Sequence, residues 1–356
     1  MQLSRSDKPL KMAHNGAMNL QALIELSRGD TPECLHFGAV ALVDTQGRVL
    51  AQVGDPYWRT FSRSTLKALQ ALPLVRGGGI QHFGLNSQNL ALLCASHSGE
   101  AMHVAQTQAI LDKAGVPYQR LQCGCHVPGY LLFHDKAAPD DLRYDERHHN
   151  CSGKHAGFLA YCAQHGLDQA TYLEPSHPLQ QAIRQQVALA TGLPESDLAM
   201  GIDGCSAPNY ALPLAHLARA YARLASASNP GADDPLAESL APLGQAMTAH
   251  PELVSGTGRN DLAFMQAGRG DWVTKVGADG VQVVASRARG QALAIKISDG
   301  NKPALFAATV EVLDQLGWLD AAQRAELQVW RSAALLNVRG TPVGARRPVF
   351  QLQRPN

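Results

Sequence analysis

The feature that most constrains this chain is that its β-forming runs sit at its two ends. Residues 38 to 55 read G-A-V-A-L-V-D-T-Q-G-R-V-L-A-Q-V-G-D. Apolar and β-branched residues flank a glycine-containing connection there, which predicts a hairpin. Residues 272 to 285, W-V-T-K-V-G-A-D-G-V-Q-V-V-A, predict a second hairpin about A-D-G, and Q-A-L-A-I-K-I from 291 predicts a further strand. The long middle carries helical patterns instead. Strands this far apart in sequence bury their apolar faces only by sharing one sheet. The expected fold is therefore α+β, an antiparallel sheet built from N- and C-terminal strands plus a helical lobe. One domain of two lobes follows, with the sheet lobe at about 1–60 and 250–356 and the helical lobe at about 61–249. A cleft between lobes is where pockets commonly form.

Within the middle, Ser62 is placed to cap a helix carrying Leu66, Leu69 and Leu72, ended or kinked by Pro73. R-G-G-G-I at 76 to 80 reads as a loop. Helices are expected from Met102 to Ala114, closed by Gly115, and over 179–190, with Gly192 beyond the end. Further helices are expected over 211–224 and 303–318. The tail from Asn337 is rich in Arg, Gly and Pro and is expected to lie along the surface.

Charge and cysteine content exclude several classes. Lys+Arg 31 against Asp+Glu 30 leaves a net charge of +1, with no basic face for a nucleic acid. No stretch approaches the ~18 unbroken apolar residues of a spanning helix. The opening M-Q-L-S-R-S-D-K-P-L-K-M has no apolar core, so no signal peptide is expected. Seven cysteines without a secretory signal point to reduced thiols in a cytoplasm, or to metal ligands, rather than to a disulfide framework.

Two stretches carry chemistry. In F-S-R-S-T-L-K-A-L-Q, Ser64 and Lys67 are three apart, and on a helix such residues are neighbours. A serine hydroxyl becomes a nucleophile when an adjacent base takes its proton, and a lysine whose pKa falls on burial can be that base. A helix start also aims N–H groups at developing negative charge. Ser96-His97-Ser98 ends an apolar segment, and Lys275-Val276-Gly277 lies on a late strand. S-x-x-K, a small polar triplet, then K-[ST]-G is the motif order of serine β-lactamases and penicillin-binding proteins. Here the triplet is S-H-S rather than S-D-N, and Val276 stands for the threonine.

The second stretch, H-H-N-C-S-G-K-H-A-G-F, gathers His148, His149, Cys151, Lys154 and His155, and G-I-D-G-C-S-A-P adds Asp203 and Cys205. Cysteine and histidine clusters point to zinc, yet neither C-x-x-C nor H-E-x-x-H is present. Lysine ligates a metal only once deprotonated. The other reading is that Cys151 and Cys205 are buried small hydrophobes, as free cysteines often are.

Together, S-R-S-T-L-K-A-L-Q, C-A-S-H-S-G-E, N-C-S-G-K-H-A-G-F, G-I-D-G-C-S-A-P, K-V-G-A-D-G-V and A-I-K-I-S-D-G resemble the L-asparaginase II family of the Rhizobium etli type. The resemblance runs from about Phe37 to Gly300, and Asn337 to Gly344 fits as well. Ala68 departs from it, where a proline would follow the lysine. The resemblance implies a serine-β-lactamase or glutaminase-like fold, a homodimer, and hydrolysis of L-asparagine to L-aspartate and ammonia. It implies two Ser-Lys pairs, Ser64 with Lys67 and Ser96 with Lys275. It also implies a zinc ion held by Cys151, Lys154 and Cys205. Arg63 is a candidate for the substrate α-carboxylate, and His97, Asp203 and His155 are further substrate-side candidates. The rival expectations are another amidohydrolase on the same fold, a glutaminase or β-lactamase-like enzyme, or a non-catalytic zinc or amino-acid binding protein.

Overall fold

The computed structural model describes residues 19–132, 136–231 and 233–355; the opening stretch read for a signal peptide lies outside them. The strands are β1 (Gln21–Arg28), β2 (Thr31–Asp44), β3 (Val49–Val53), β4 (Arg59–Phe61), β5 (Ala199–Ile202), β6 (Pro208–Pro213), β7 (Trp272–Gly277), β8 (Val281–Ser286), β9 (Gln291–Ile297), β10 (Ala333–Leu336) and β11 (Pro342–Pro348). The main sheet runs β10-β11-β1-β2-β9-β8-β7, with β3 also paired to β2, and its pairs are antiparallel. N- and C-terminal strands thus share one sheet, and β2 is where they meet. β9 pairs along Gly38–Asp44, while β1 and β3 take successive lengths of the other edge.

The strand pleat sorts the core into two layers. Val40, Leu42, Val284, Leu293 and Ile295 face the Lys302–Gln315 helix. Ala39, Ala41, Val283, Ala292 and Ala294 face the other way, onto the Leu214–Ser226 helix and the helical region. Small side chains on that face let the helix lie close to the sheet. Among the described residues no helix is long and apolar enough to cross a membrane.

Three local expectations are corrected. Ser62 does not cap a helix through its hydroxyl, which donates to the Tyr210 carbonyl at 2.9 Å. A 3-10 turn, Arg63–Leu66, precedes short helices Lys67–Gln70 and Leu72–Arg76. The helix expected from 211 starts at Leu214, because 208–213 form β6 and Pro213 disfavours helix at the residue before it. The R-G-G-G-I segment runs directly into a helical turn, Gly79–Phe83. The tail lies along the surface as expected, and there β11 pairs with β1 and Arg347 Nη2 meets Glu25 Oε1 at 2.7 Å.

A second, three-stranded sheet, β4-β6-β5, stands beside the Ser64 turn. It fixes the entry to that turn through Ser62 N–H, which donates to the Tyr210 carbonyl at 3.0 Å.

Candidate active site

Ser64 follows a backbone that only a firm frame would hold. Arg63 has φ +49°, a left-handed conformation that costs a non-glycine residue about 1–3 kcal/mol and persists where surroundings over-determine it. Asn209 of β6 supplies the frame. Its Oδ1 accepts from Arg63 N at 2.9 Å, and its Nδ2 donates to Arg63 O at 3.0 Å. The arginine side chain is anchored as well, with Nε on Asp203 Oδ1 at 2.9 Å and Nη1 on Asp279 Oδ2. Two carboxylates therefore already hold the guanidinium that was a candidate for the substrate carboxylate.

Lys67 starts the helix after the Ser64 turn and is 1% exposed. Its Nζ donates to Ala95 O at 2.5 Å, Asn150 O at 3.0 Å and Ser96 Oγ at 3.0 Å. Among the described residues, then, its hydroxyl partner is Ser96 rather than Ser64. The 3-10 turn leaves Lys67 to reach past Ser64 toward the 95–96 and 150 backbones. Burial lowers its pKa from the usual lysine value. A neutral amine has two N–H bonds and one lone pair. With the two N–H bonds on the carbonyls, the lone pair faces the Ser96 hydroxyl.

Ser64 and Ser96 both line a cleft of about 300 Å³, together with Asn150, Arg259, Asn260, Gly277, Lys302, Phe306 and Trp330. That is the low end of small-ligand pockets. Phe306 and Trp330 meet edge to face with ring centroids 5.3 Å apart and form an aromatic wall. Arg259 Nη1 donates to the Ser96 carbonyl, fixing that serine from its far side. Arg259 belongs to S-G-T-G-R-N-D, a segment the motif reading passed over. Its signal was a polar run bracketed by glycines directly before a helix. Gly256 there has φ +136°, and a Cβ would lie 2.2 Å from Ser98 Oγ, so the loop packs flush against the S-H-S segment.

Lys275 does not reach Ser96. Its Nζ donates to Val276 O at 2.8 Å and lies 3.5 Å from Asp261 Oδ2, fully buried. Burial pulls this amine down to about 7 against the pull of Asp261. Asp261, missed in the sequence, also accepts from Val276 N, Gln282 Nε2 and Thr274 Oγ1, and so braces β7 beneath the cleft.

The cysteine stretch adjoins this site, since Asn150, whose carbonyl holds Lys67, precedes Cys151 at the start of the Ser152–His165 helix. Cys151, Lys154, His155 and Cys205 are all buried, and Lys154 Nζ lies 2.9 Å from Cys205 Sγ. A hydrogen bond from Cys151 and the Lys154 charge hold the Cys205 thiol far below its usual range, while the same bond and burial push Cys151 up. Burial alone would lower Lys154, but the Cys205 and Cys151 sulfurs outweigh it and the net shift is upward. His155 Nδ1 meets Tyr172 OH at 2.8 Å, and its other ring nitrogen is buried on the Cys205 side. Among the described residues no group of three or more His, Cys, Asp and Glu side chains could hold a metal. The donor types gathered here, two cysteine sulfurs, the Lys154 amine and the His155 imidazole against Cys205, are nonetheless soft donors of the kind zinc takes.

His97 stands apart. Gly99 N–H donates to its Nδ1 at 3.1 Å, its Nε2 meets Ser152 Oγ at 2.9 Å, and it stacks on His103 at 4.9 Å. It is a fully buried strut behind the S-H-S turn. Asp203 likewise acts through Arg63 rather than on the cleft wall.

The family model described as L-asparaginase II matches residues 24–348. The chain belongs to the L-asparaginase II family. It is an asparaginase-type amidohydrolase. No curated protein matches the chain. Among solved structures it is similar to a β-lactamase from Mycobacterium bovis, at 14% identity over 78% of this chain and 94% of that one, with a TM-score of 0.37. In this L-asparaginase II chain, Ser64 and Ser96 open on the cleft, and the Lys67 amine meets the Ser96 hydroxyl at 3.0 Å.

Proposed function

We propose that the chain hydrolyses L-asparagine to L-aspartate and ammonia through an ester on Ser64. The observation that carries this is the family match, read on a cleft that two serines share, one of them 3.0 Å from a buried amine. Ser64 Oγ attacks the side-chain amide carbon while its proton passes to Ser96 Oγ, whose own proton goes to Lys67 Nζ. The C–O bond forms and the amide π pair moves to the oxygen, toward N–H groups of the Ser64 turn. The C–N bond then breaks as Lys67 returns a proton through Ser96 to the leaving nitrogen, giving ammonia and a β-aspartyl ester. Water, deprotonated by the same relay, attacks the ester carbon, and the bond from that carbon to Ser64 Oγ breaks as the relay returns the proton to the serine, releasing aspartate. The substrate α-carboxylate goes to the cationic wall of Arg259 and Lys302, because Arg63 is held by two carboxylates.

Under this reading Cys151, Lys154 and Cys205 hold zinc, with His155 beside them. When bound, the ion supplies Lewis-acid polarisation and a fixed point for substrate orientation. Chelator dialysis should lower the thermal midpoint, and added zinc should restore it; unchanged melting after metal removal would refute the zinc assignment. The working unit is read as a homodimer, which light scattering checks.

Acid quench during turnover with L-asparagine tests the ester. Intact mass and peptide mapping should place a β-aspartyl adduct on Ser64, lost in Ser64→Ala. An adduct on Ser96, or one that survives Ser64→Ala, would overturn the assignment.

A further inference from the structure

The hydrogen bonds beneath the cleft fix which way one cleft amide points. Asp261 is fully buried, and as a carboxylate it only accepts. Gln282 Nε2 donates to Asp261 Oδ1 at 3.0 Å and to Val283 O at 3.1 Å. Turned round, the Gln282 amide would set its oxygen against two acceptors, so its Oε1 must face the other way and accept. The donor it meets is Asn260 Nδ2 at 2.9 Å, and Nδ2 also reaches Asp261 Oδ1 at 3.3 Å. The Asn260 amide is thereby fixed in turn, with both of its N–H bonds spent below the cleft.

Asn260 opens the Asn260–Ala267 helix, is 3% exposed, and lines the cleft with Ser64 and Ser96. Among the described residues no donor meets its Oδ1, and that oxygen is not closed off in the interior. The reaction at Ser64 leaves this acceptor unused.

The geometry points to Asn260 Oδ1 as the acceptor for the substrate α-ammonium group, which restricts turnover to side-chain amides of amino acids whose α-amine is free. This rests on the hydrolysis proposed above. Two features favour an ammonium here over a neutral N–H. Asp261 lies directly behind, accepts from the same amide and so polarises its oxygen, yet is itself too buried to reach a ligand. Arg259, the preceding residue, lines the cleft as well. An α-amino acid carries its carboxylate and its ammonium on one carbon, so a cation and an acceptor on successive residues match both.

The test compares ammonia release from L-asparagine and from succinamate, which has hydrogen in place of the α-amine. Wild type should favour asparagine. In Asn260→Ala the asparagine-to-succinamate ratio of kcat/KM should fall by about 10–100-fold, the usual worth of a hydrogen bond to a charged group. Gln282→Met, which leaves the Asn260 amide able to turn, should lower the ratio by less. L-Aspartate and succinate differ by the same amine, and their inhibition constants should shift in the same sense. A ratio equal to wild type in both variants, as when both substrates lose rate alike through a structural defect, would overturn the proposal and leave the amidohydrolase standing. So would wild type that hydrolyses the two amides equally well. Ammonia from neither amide would remove the reaction itself, and this assignment with it.

Discussion

In the proposed mechanism, Lys67 is the residue on which the chemistry turns. Its three acceptors divide into two carbonyls, which want N–H donors, and one hydroxyl, which can donate in return. Burial lowers its pKa, so the neutral base is reached at lower pH than for a free lysine. Only that form accepts a proton. Turnover should therefore climb as pH rises through the lowered pKa and level off above it. Lys67→Met should cost about 10²–10⁴-fold in kcat/KM and flatten that limb. A rising limb that persists in the variant would show that another group titrates. The serine and lysine were legible in S-x-x-K, but their partnership was not. The spacing assumes an α-helix, whereas Arg63 at φ +49° and the 3-10 turn after it direct Lys67 to Ser96. Arg63 was legible as a cation near the site, but its two carboxylate partners come from residues 203 and 279, which spacing cannot bring together.

At the scale of elements, the site depends on how closely the Ser152–His165 helix approaches the Ser87–Leu93 helix. Gly153 allows it: a Cβ there would lie 2.4 Å from the Leu92 carbonyl. That helix carries Lys154, and the carbonyl of Asn150 just before it holds Lys67. Gly153→Ala should cost about 1–3 kcal/mol of stability by overpacking, read from the urea midpoint at unchanged m. A midpoint equal to wild type would show that the helices can part freely. The hairpins were visible in the sequence because their apolar residues alternate about glycine turns. β10 and β11 were not, since P-V-G-A-R-R-P has no apolar face and pairs through its backbone and the Arg347–Glu25 contact. β5 and β6 were hidden for a different reason: they are four and six residues long, and the alanine-rich run after them masked the strand at 208–213.

For the whole molecule, β2 is the element through which both ends of the chain are joined, with apolar layers on its two faces. The Ser64 turn and β7 come from distant parts of the chain, yet Gly277 and Ser64 line one cleft. The family follows from blocks spread over that length, whereas the cleft's cationic wall of Arg259 and Lys302 emerges only once the chain is folded. The most direct measurement is ammonia release by the purified protein, with L-asparagine and L-glutamine in parallel. One extra methylene is worth only ~1–3 kcal/mol of discrimination, so asparagine is expected to be clearly preferred, with glutamine turned over more slowly. Folded, zinc-supplied protein that releases no ammonia from either amide would contradict the amidohydrolase reading of this cleft.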